Sequence, residues 1–230
     1  IIAPKTPKDE IINPDETEEE KEYSLFNEYE DQAVKLLEEM SLEEKIGQMF
    51  LVRCPENEKL NSYLSLKPGG FIMFGRDFAG KTRDEVIRYI DYLQKNSSIP
   101  MIIGVDEEGG TVVRVSSNPN LAKEPFKSPQ EIYNLGGLEE IRKDTENKSK
   151  LLKSLGINLN LGPVADVSTN PSDFIYSRSF GKSAKETAEF VKVVVETAKN
   201  FKISSALKHF PGYGNNKDTH TGSARDKRLY

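Results

Sequence analysis

The chain has 230 residues, a formal net charge of −5 and a single cysteine, Cys54, which excludes an internal disulfide. That length is enough for one large domain with a substantial core. No basic stripe is present to serve as a nucleic-acid surface, and no apolar run approaches the roughly 20 residues of a membrane helix.

Residues 1–22 include KDEIINPDETEEEKE, which is acidic, Pro-containing and poor in apolar side chains. Such a stretch cannot bury enough surface to offset its ordering entropy, so it is expected to be a disordered linker preceding a folded region at 23–230. The chain begins with Ile, which suggests a processed or engineered N-terminus with a signal peptide or lipid anchor removed upstream. That reading favours an extracellular or cell-envelope location, with the cytoplasm as the alternative.

Helical periodicity begins near Tyr23 and continues through Ala33, Val34, Leu36, Leu37 and Met40. Ser41 and Glu44 form a capping-box pattern that opens a second short helix, SLEEKIGQ. Apolar runs at 49–52, 70–74 and 101–105 read as buried strands. An amphipathic helix is expected at 84–93, with Val86, Ile87, Ile90 and Leu93 on one side. Cys54 reads as a small buried residue at a strand end.

The third strand runs directly into Asp106-Glu107-Glu108-Gly109-Gly110. Carboxylates at a strand's C-terminal end can hydrogen-bond sugar hydroxyls, and the glycines would let backbone approach a ligand. An acidic turn or a cation site would use the same residues. Residues 121–135, with Pro125 and Pro129, read as a loop. A helix follows at 138–155, with Ile141, Leu151, Leu152 and Leu155 inward and Gly156 as its stop.

A fourth strand is expected at 157–161, where Asn158 and Asn160 alternate with apolar residues. Beyond it, Asp166 is placed to support a site. Residues 170–180 form a small-polar loop carrying Arg178, and 184–199 a helix with Val191, Val194, Val195 and Ala198 inward. The fifth strand, 203–207, delivers Lys208 and His209 into a loop rich in Gly, Pro and Asn. In that loop Asp218 and His220 lie two residues apart. A turn can fold the carboxylate onto the imidazole and fix its tautomer, which suits proton transfer near neutral pH; the same pair could be half of a metal site.

Five strands alternate with helices, and each strand ends in a loop with candidate chemistry. This pattern fits the first five units of a (β/α)8 TIM-barrel fold of the α/β class, with a doubly wound sheet as the alternative. A whole barrel needs about 250 residues, so three further units are expected outside this chain. No G-x-G-x-x-G or P-loop marks a nucleotide site.

KHFPGYG at 208–214, followed by Asp218-Thr219-His220, resembles glycoside hydrolase family 3, in its bacterial β-N-acetylglucosaminidase (β-N-acetylhexosaminidase) branch. That branch carries Lys-His-Phe-Pro-Gly-x-Gly and then Asp-Ser-His, so Thr219 stands where Ser is usual. MSLEEKIGQMF at 40–50 is similar to the family's entry into the barrel. VDEEGGTVVR at 105–114 is similar to its Asp-x-Glu-Gly-Gly segment, with Gln common where Glu107 stands. The resemblance covers roughly residues 41–222, but only the first part of the family's catalytic domain.

The resemblance implies retaining hydrolysis of terminal N-acetylglucosamine in cell-wall (peptidoglycan) fragments. His220 would be the acid/base and Asp218 would orient it. Asp106, Arg178, Lys208 and His209 would bind the sugar, with Arg114 closing the same side. Glu108 could equally orient neighbouring backbone. The family's nucleophile is an Asp on a later strand-end loop with no counterpart here, so the chain alone is expected to be inactive. Either a C-terminal part completes the barrel, or the exposed fold self-associates. No cofactor and no metal is implied. A non-catalytic sugar-binding module or pseudoenzyme is the alternative of another class. A β-glucosidase of the same family is a third, against which Asp218-Thr219-His220 argues.

Overall fold

The structure, a computed structural model, describes residues 29–223. The expected linker at 1–22, and the helical signal near Tyr23, lie outside the described residues. The chain divides into two compact units, one ending at Met40 and the other beginning at Ser41. In the first, helix α1 (Glu30–Glu39) starts with Glu30 and Asp31, acids that suit the positive end of the helix dipole.

The second unit alternates strands and helices. In chain order it holds α2 (Leu42–Gln48), β1 (Leu51–Arg53), α3 (Asn57–Leu64), β2 (Gly70–Met73), α4 (Gly75–Phe78), α5 (Arg83–Lys95) and β3 (Ile102–Val105). There follow α6 (Pro129–Ser154), β4 (Leu159–Asn160), α7 (Ala184–Asn200) and β5 (Ser204–Ser205). All neighbouring strands pair in parallel, in the order β1-β2-β3-β4-β5. A doubly wound sheet reverses its order at a switch point, whereas this one never does. The fold is α/β of the TIM-barrel type, with five parallel strands, the first four each followed by a helix, among the described residues.

Four helices begin with the same reciprocal cap. Ser41 with Glu44, Thr82 with Glu85, Ser128 with Glu131 and Ser183 with Glu186 each satisfy two otherwise orphaned donors. Ser128, with Pro129 in the first turn, starts α6 nine residues before the expected position. The 121–135 stretch is therefore only partly a loop. Gly136 and Gly137 break the helical backbone, and Gly137 adopts φ +66°. The short helices α3 and α4 were not anticipated: α3 buries only Leu60 and α4 only Phe78, so neither shows a helical stripe.

The main core lies between sheet and helices. Phe71, Met73, Ile103 and Val105 from β2 and β3 pack in one cluster with Val86, Ile90 and Leu93 of α5, Leu152 of α6 and Ala198 of α7. A second cluster joins α6 to α7, where the Phe180 and Phe190 rings stack at 4.6 Å.

β4 and β5 are shorter than the apolar runs that suggested them, and between β3 and β4 side chains replace part of the ladder. Asn158 Oδ1 accepts from the Ile103 backbone N–H at 2.8 Å, and its amide donates to the Met101 carbonyl at 3.1 Å. Asn160 does the same for the N–H and carbonyl of Glu107, at 3.0 and 3.1 Å. Asn158 thus ties down the start of β3, and Asn160 holds the segment just beyond its end in place for the site.

Among the described residues no helix is long and apolar enough to cross a membrane. At Gly70, paired with Ile102, an added Cβ would lie 2.1 Å from the Ile102 carbonyl oxygen. Gly70→Ala should therefore cost about 3 kcal/mol by forcing β2 from β3. Gly75→Ala, with nothing within 4 Å, should change stability little. Urea unfolding midpoints of the two variants check this.

Candidate active site

Because the strands are parallel and sequential, their C-terminal ends share one edge of the sheet. β3 ends in Asp106, Glu107 and Glu108; β4 leads to Asp166 and then Arg178; β5 leads to Lys208 and His209.

The three consecutive acids have different environments. Glu107 is fully buried and accepts from the backbone N–H groups of Arg114, Val115 and Ser116 at 2.8, 2.7 and 3.2 Å, and from the Ser116 hydroxyl. Orienting backbone, allowed above for Glu108, is thus the work of Glu107. Gly109 and Gly110 sit at φ +103° and +64°. Added Cβ atoms there would lie 2.2 Å from the Lys127 carbonyl oxygen and 2.9 Å from Ser128 Cβ. The close approach these glycines permit within the chain is to the start of α6.

Glu108 is the centre of an ionic cluster. Arg178 donates to it from Nε at 3.0 Å and Nη2 at 2.8 Å, a two-pronged geometry suited to a carboxylate. Lys208 Nζ lies 2.5 Å from Glu108 Oε1 and 2.6 Å from Asp106 Oδ1. Burial pushes the Glu108 carboxyl up, but Arg178 and Lys208 outweigh it and hold the group below the usual carboxylate range. Glu108 in turn raises the pKa of Arg178.

Arg178 Nη2 also lies 3.3 Å from His209 Nε2. A guanidinium only donates, so Nε2 accepts and the His209 proton sits on Nδ1. That proton is donated to Asp166 Oδ2 at 2.7 Å. Asp166 also accepts the backbone N–H groups of His209 at 3.0 Å and Tyr213 at 2.7 Å. Burial opposes its ionisation, yet these donors keep the Asp166 carboxyl low. Asp166 is therefore the buried partner of His209. Tyr213, for which the sequence carried no signal, roots the loop that follows.

The structure thus brings Asp106, Arg178, Lys208 and His209 together, with Glu108 and Asp166. The Arg114 side chain makes no hydrogen bond or ion pair with them among the described residues. Its guanidinium lies 6.0 Å from the Phe74 ring centre, on a ring that Arg53 also approaches at 4.6 Å. Its Nε is buried without a hydrogen-bond partner among the described residues.

Asp218 and His220 pair with one another. Asp218 Oδ1 accepts the His220 backbone N–H at 3.0 Å and its Nδ1 at 2.7 Å. These bonds pull the Asp218 carboxyl below its ordinary range, with a smaller contribution from the charge of Arg178. The His220 side chain is 80 % exposed, and its Nδ1–H is committed to Asp218, so Nε2 faces outward. A groove of about 670 Å³ is lined by Asp166, Lys208, His209, Phe210, Tyr213 and Asn216 among others. Among the described residues no group of three or more His, Cys, Asp and Glu side chains is gathered as a cation site.

A sequential parallel sheet with an ionic pocket and an imidazole–carboxylate pair at its strand ends defines a TIM-barrel-type α/β catalytic scaffold. Residues 41–229 match the glycosyl hydrolase family 3 N terminal domain, and the chain belongs to that family.

Among its relatives, beta-hexosaminidase A of Pseudoalteromonas piscicida is 31 % identical over 178 residues, which is 74 % of this chain and 29 % of that protein. Beta-hexosaminidase LpqI of Mycobacterium tuberculosis is 25 % identical over 80 % of this chain and 46 % of that protein. The chain therefore spans less than half the length of these relatives. A solved family 3 β-N-acetylglucosaminidase from a Paenibacillus strain superposes with a TM-score of 0.67 at 27 % identity, covering 79 % of this chain and 35 % of that one.

Removing the Glu108 charge leaves Arg178 and Lys208 facing each other, so Glu108→Gln should cost about 3 kcal/mol. Glu108 and Asp166 both have folded pKa values below their unfolded values of about 4.3 and 3.9. The unfolded chain then binds more protons in acid, so this stability is present above those values and is lost as pH falls below about 4. Chemical unfolding at pH 7 and pH 3 should show a smaller acid loss in Glu108→Gln and Asp166→Asn than in the parent chain.

Proposed function

We propose that this chain is part of a retaining β-N-acetylglucosaminidase that releases terminal N-acetylglucosamine from cell-wall (peptidoglycan) fragments. The observation that carries this reading is the Asp218–His220 pair, with Nδ1 tied to the carboxylate and the imidazole exposed to solvent on the loop that follows Lys208 and His209. The names of the family relatives support the substrate class. A substrate of that kind also favours a cell-envelope or extracellular site of action.

In this reading residues 1–22 are a linker and 23–230 the N-terminal portion of a (β/α)8 catalytic domain. β1 and β5 are the sheet edges, and Leu207 and Phe210 beyond β5 are 54 % and 99 % exposed. A C-terminal part of the domain would cover them and supply the nucleophile.

Asp106, with Oδ1 on Lys208, would offer Oδ2 to a sugar hydroxyl. Lys208, His209 and Arg178 would complete the grip, and Arg114 would close the side near Phe74. An Asp outside this chain would attack the anomeric carbon while protonated His220 gives its Nε2 proton to the glycosidic oxygen and the C–O bond breaks. Neutral His220 would then take a proton from the water that hydrolyses the glycosyl-enzyme. Asp218 would hold Nδ1–H and stabilise the imidazolium.

Protein carrying the whole catalytic domain should release p-nitrophenol from p-nitrophenyl N-acetyl-β-glucosaminide. His220→Ala should lower kcat/KM about 100- to 1,000-fold on alkyl glycosides, whose departure needs protonation, and far less on a dinitrophenyl glycoside, whose departure does not; kcat on the latter also falls, because hydrolysis of the glycosyl-enzyme uses His220 as base. Equal losses on both substrates would overturn the assignment of His220. Sugar binding without turnover by the whole domain would favour a binding module. The 230-residue chain by itself should show no turnover, since it lacks the nucleophile.

A further inference from the structure

The Asp218–His220 pair sits on an exposed loop, yet proton transfer requires an imidazole placed to within a fraction of an ångström. Thr219, between the two, donates or accepts a hydrogen bond with the Tyr213 phenol at 2.8 Å. Tyr213 is itself fixed. It is 5 % exposed, its ring packs with Val164 and Ile175 and lies 5.4 Å from the Phe174 ring, and its backbone N–H is held by Asp166. Its ring also meets His209 edge-on at 4.9 Å.

A continuous path therefore runs from the buried Asp166 through Tyr213 to the residue separating Asp218 from His220. We propose that the Tyr213–Thr219 hydrogen bond is a latch that sets where His220 stands relative to the Lys208–His209 pocket. Tyr213 and Thr219 are then positioning residues, acting through His220 without touching the reacting atoms. The proposal rests on the reading of His220 as acid/base.

Two features favour a latch over a chance surface contact. The Tyr213 ring is rigid on its buried side, so its hydroxyl is a stationary anchor. Meanwhile Asp218 Oδ1 takes both His220 donors, so that Asp, His and the intervening Thr move as one unit. Fixing the single Thr hydroxyl then fixes the imidazole.

The test is steady-state kinetics on protein carrying the whole catalytic domain, with an alkyl and a dinitrophenyl N-acetyl-β-glucosaminide. Tyr213→Phe and Thr219→Val each remove one hydroxyl with little change of shape. Each should lower kcat/KM on the alkyl glycoside about tenfold, in line with one lost hydrogen bond. The loss should shrink on the dinitrophenyl glycoside, the double variant should be no worse than either single one, and Thr219→Ser should restore parent rates. A purely structural role would lower both substrates alike. Parent-like rates for both single variants, while His220→Ala still shows the leaving-group dependence, would overturn the latch and leave the acid/base reading intact. Loss of that dependence in His220→Ala itself would overturn the acid/base reading, and the latch proposal with it. Should Tyr213→Phe fail to fold, Thr219→Val, altered on the exposed loop, still decides.

Discussion

A single buried carboxylate holds three loops together. Glu108, 2 % exposed at its side chain, lies between Arg178 and Lys208, which arrive from the chain beyond β4 and from the end of β5. Without it two cations would meet at low dielectric, where like charges repel strongly. The arrangement adds little net stability, because desolvating each ion costs several kcal/mol and the pairing mainly repays that. Its contribution is geometric. It aims the Arg178 guanidinium at His209 and thereby decides which imidazole nitrogen keeps the proton.

The chain's two histidines sit in locally similar pairs with different outcomes. Each gives its Nδ1–H and its backbone N–H to one aspartate oxygen. His209 has its other nitrogen engaged by Arg178, which suits fixed polar contact. His220 leaves Nε2 open to solvent, the state a proton carrier needs. The distinction comes from what packs around each ring, since both imidazoles begin with the same intrinsic chemistry.

Much of the fold was legible because local signals and tertiary need coincide. The apolar runs near β1, β2 and β3 and the helical stripes of α5 and α7 mark elements whose buried faces repeat at the right period. The Ser-x-x-Glu cap at Ser128 was equally readable and would have placed the start of α6, yet the prolines nearby suggested a loop. β4 and β5 were overextended because an apolar run reports burial, not ladder pairing, and beside β3 the side chains of Asn158 and Asn160 take over hydrogen bonds that β4 backbone would make.

By itself, the sequence determined the alternation of strands and helices, the strand-end placement of the acids, Lys208 and His209, and the closeness of Asp218 to His220. These depend on periodicity and on contacts a few residues apart. Only the tertiary structure decided that Glu107 folds a loop while Glu108 binds two cations, that Asp166 belongs to His209, and that Tyr213 anchors Thr219. The partners in these last cases are separated by 7 to 9 residues for Glu107, 100 for Lys208 and Glu108, 70 for Arg178 and Glu108, and 43 for His209 and Asp166. Adjacent glutamates are chemically identical until the loop after β3 gives Glu107 its backbone donors and the chain's return beyond β4 and β5 gives Glu108 a pair of cations.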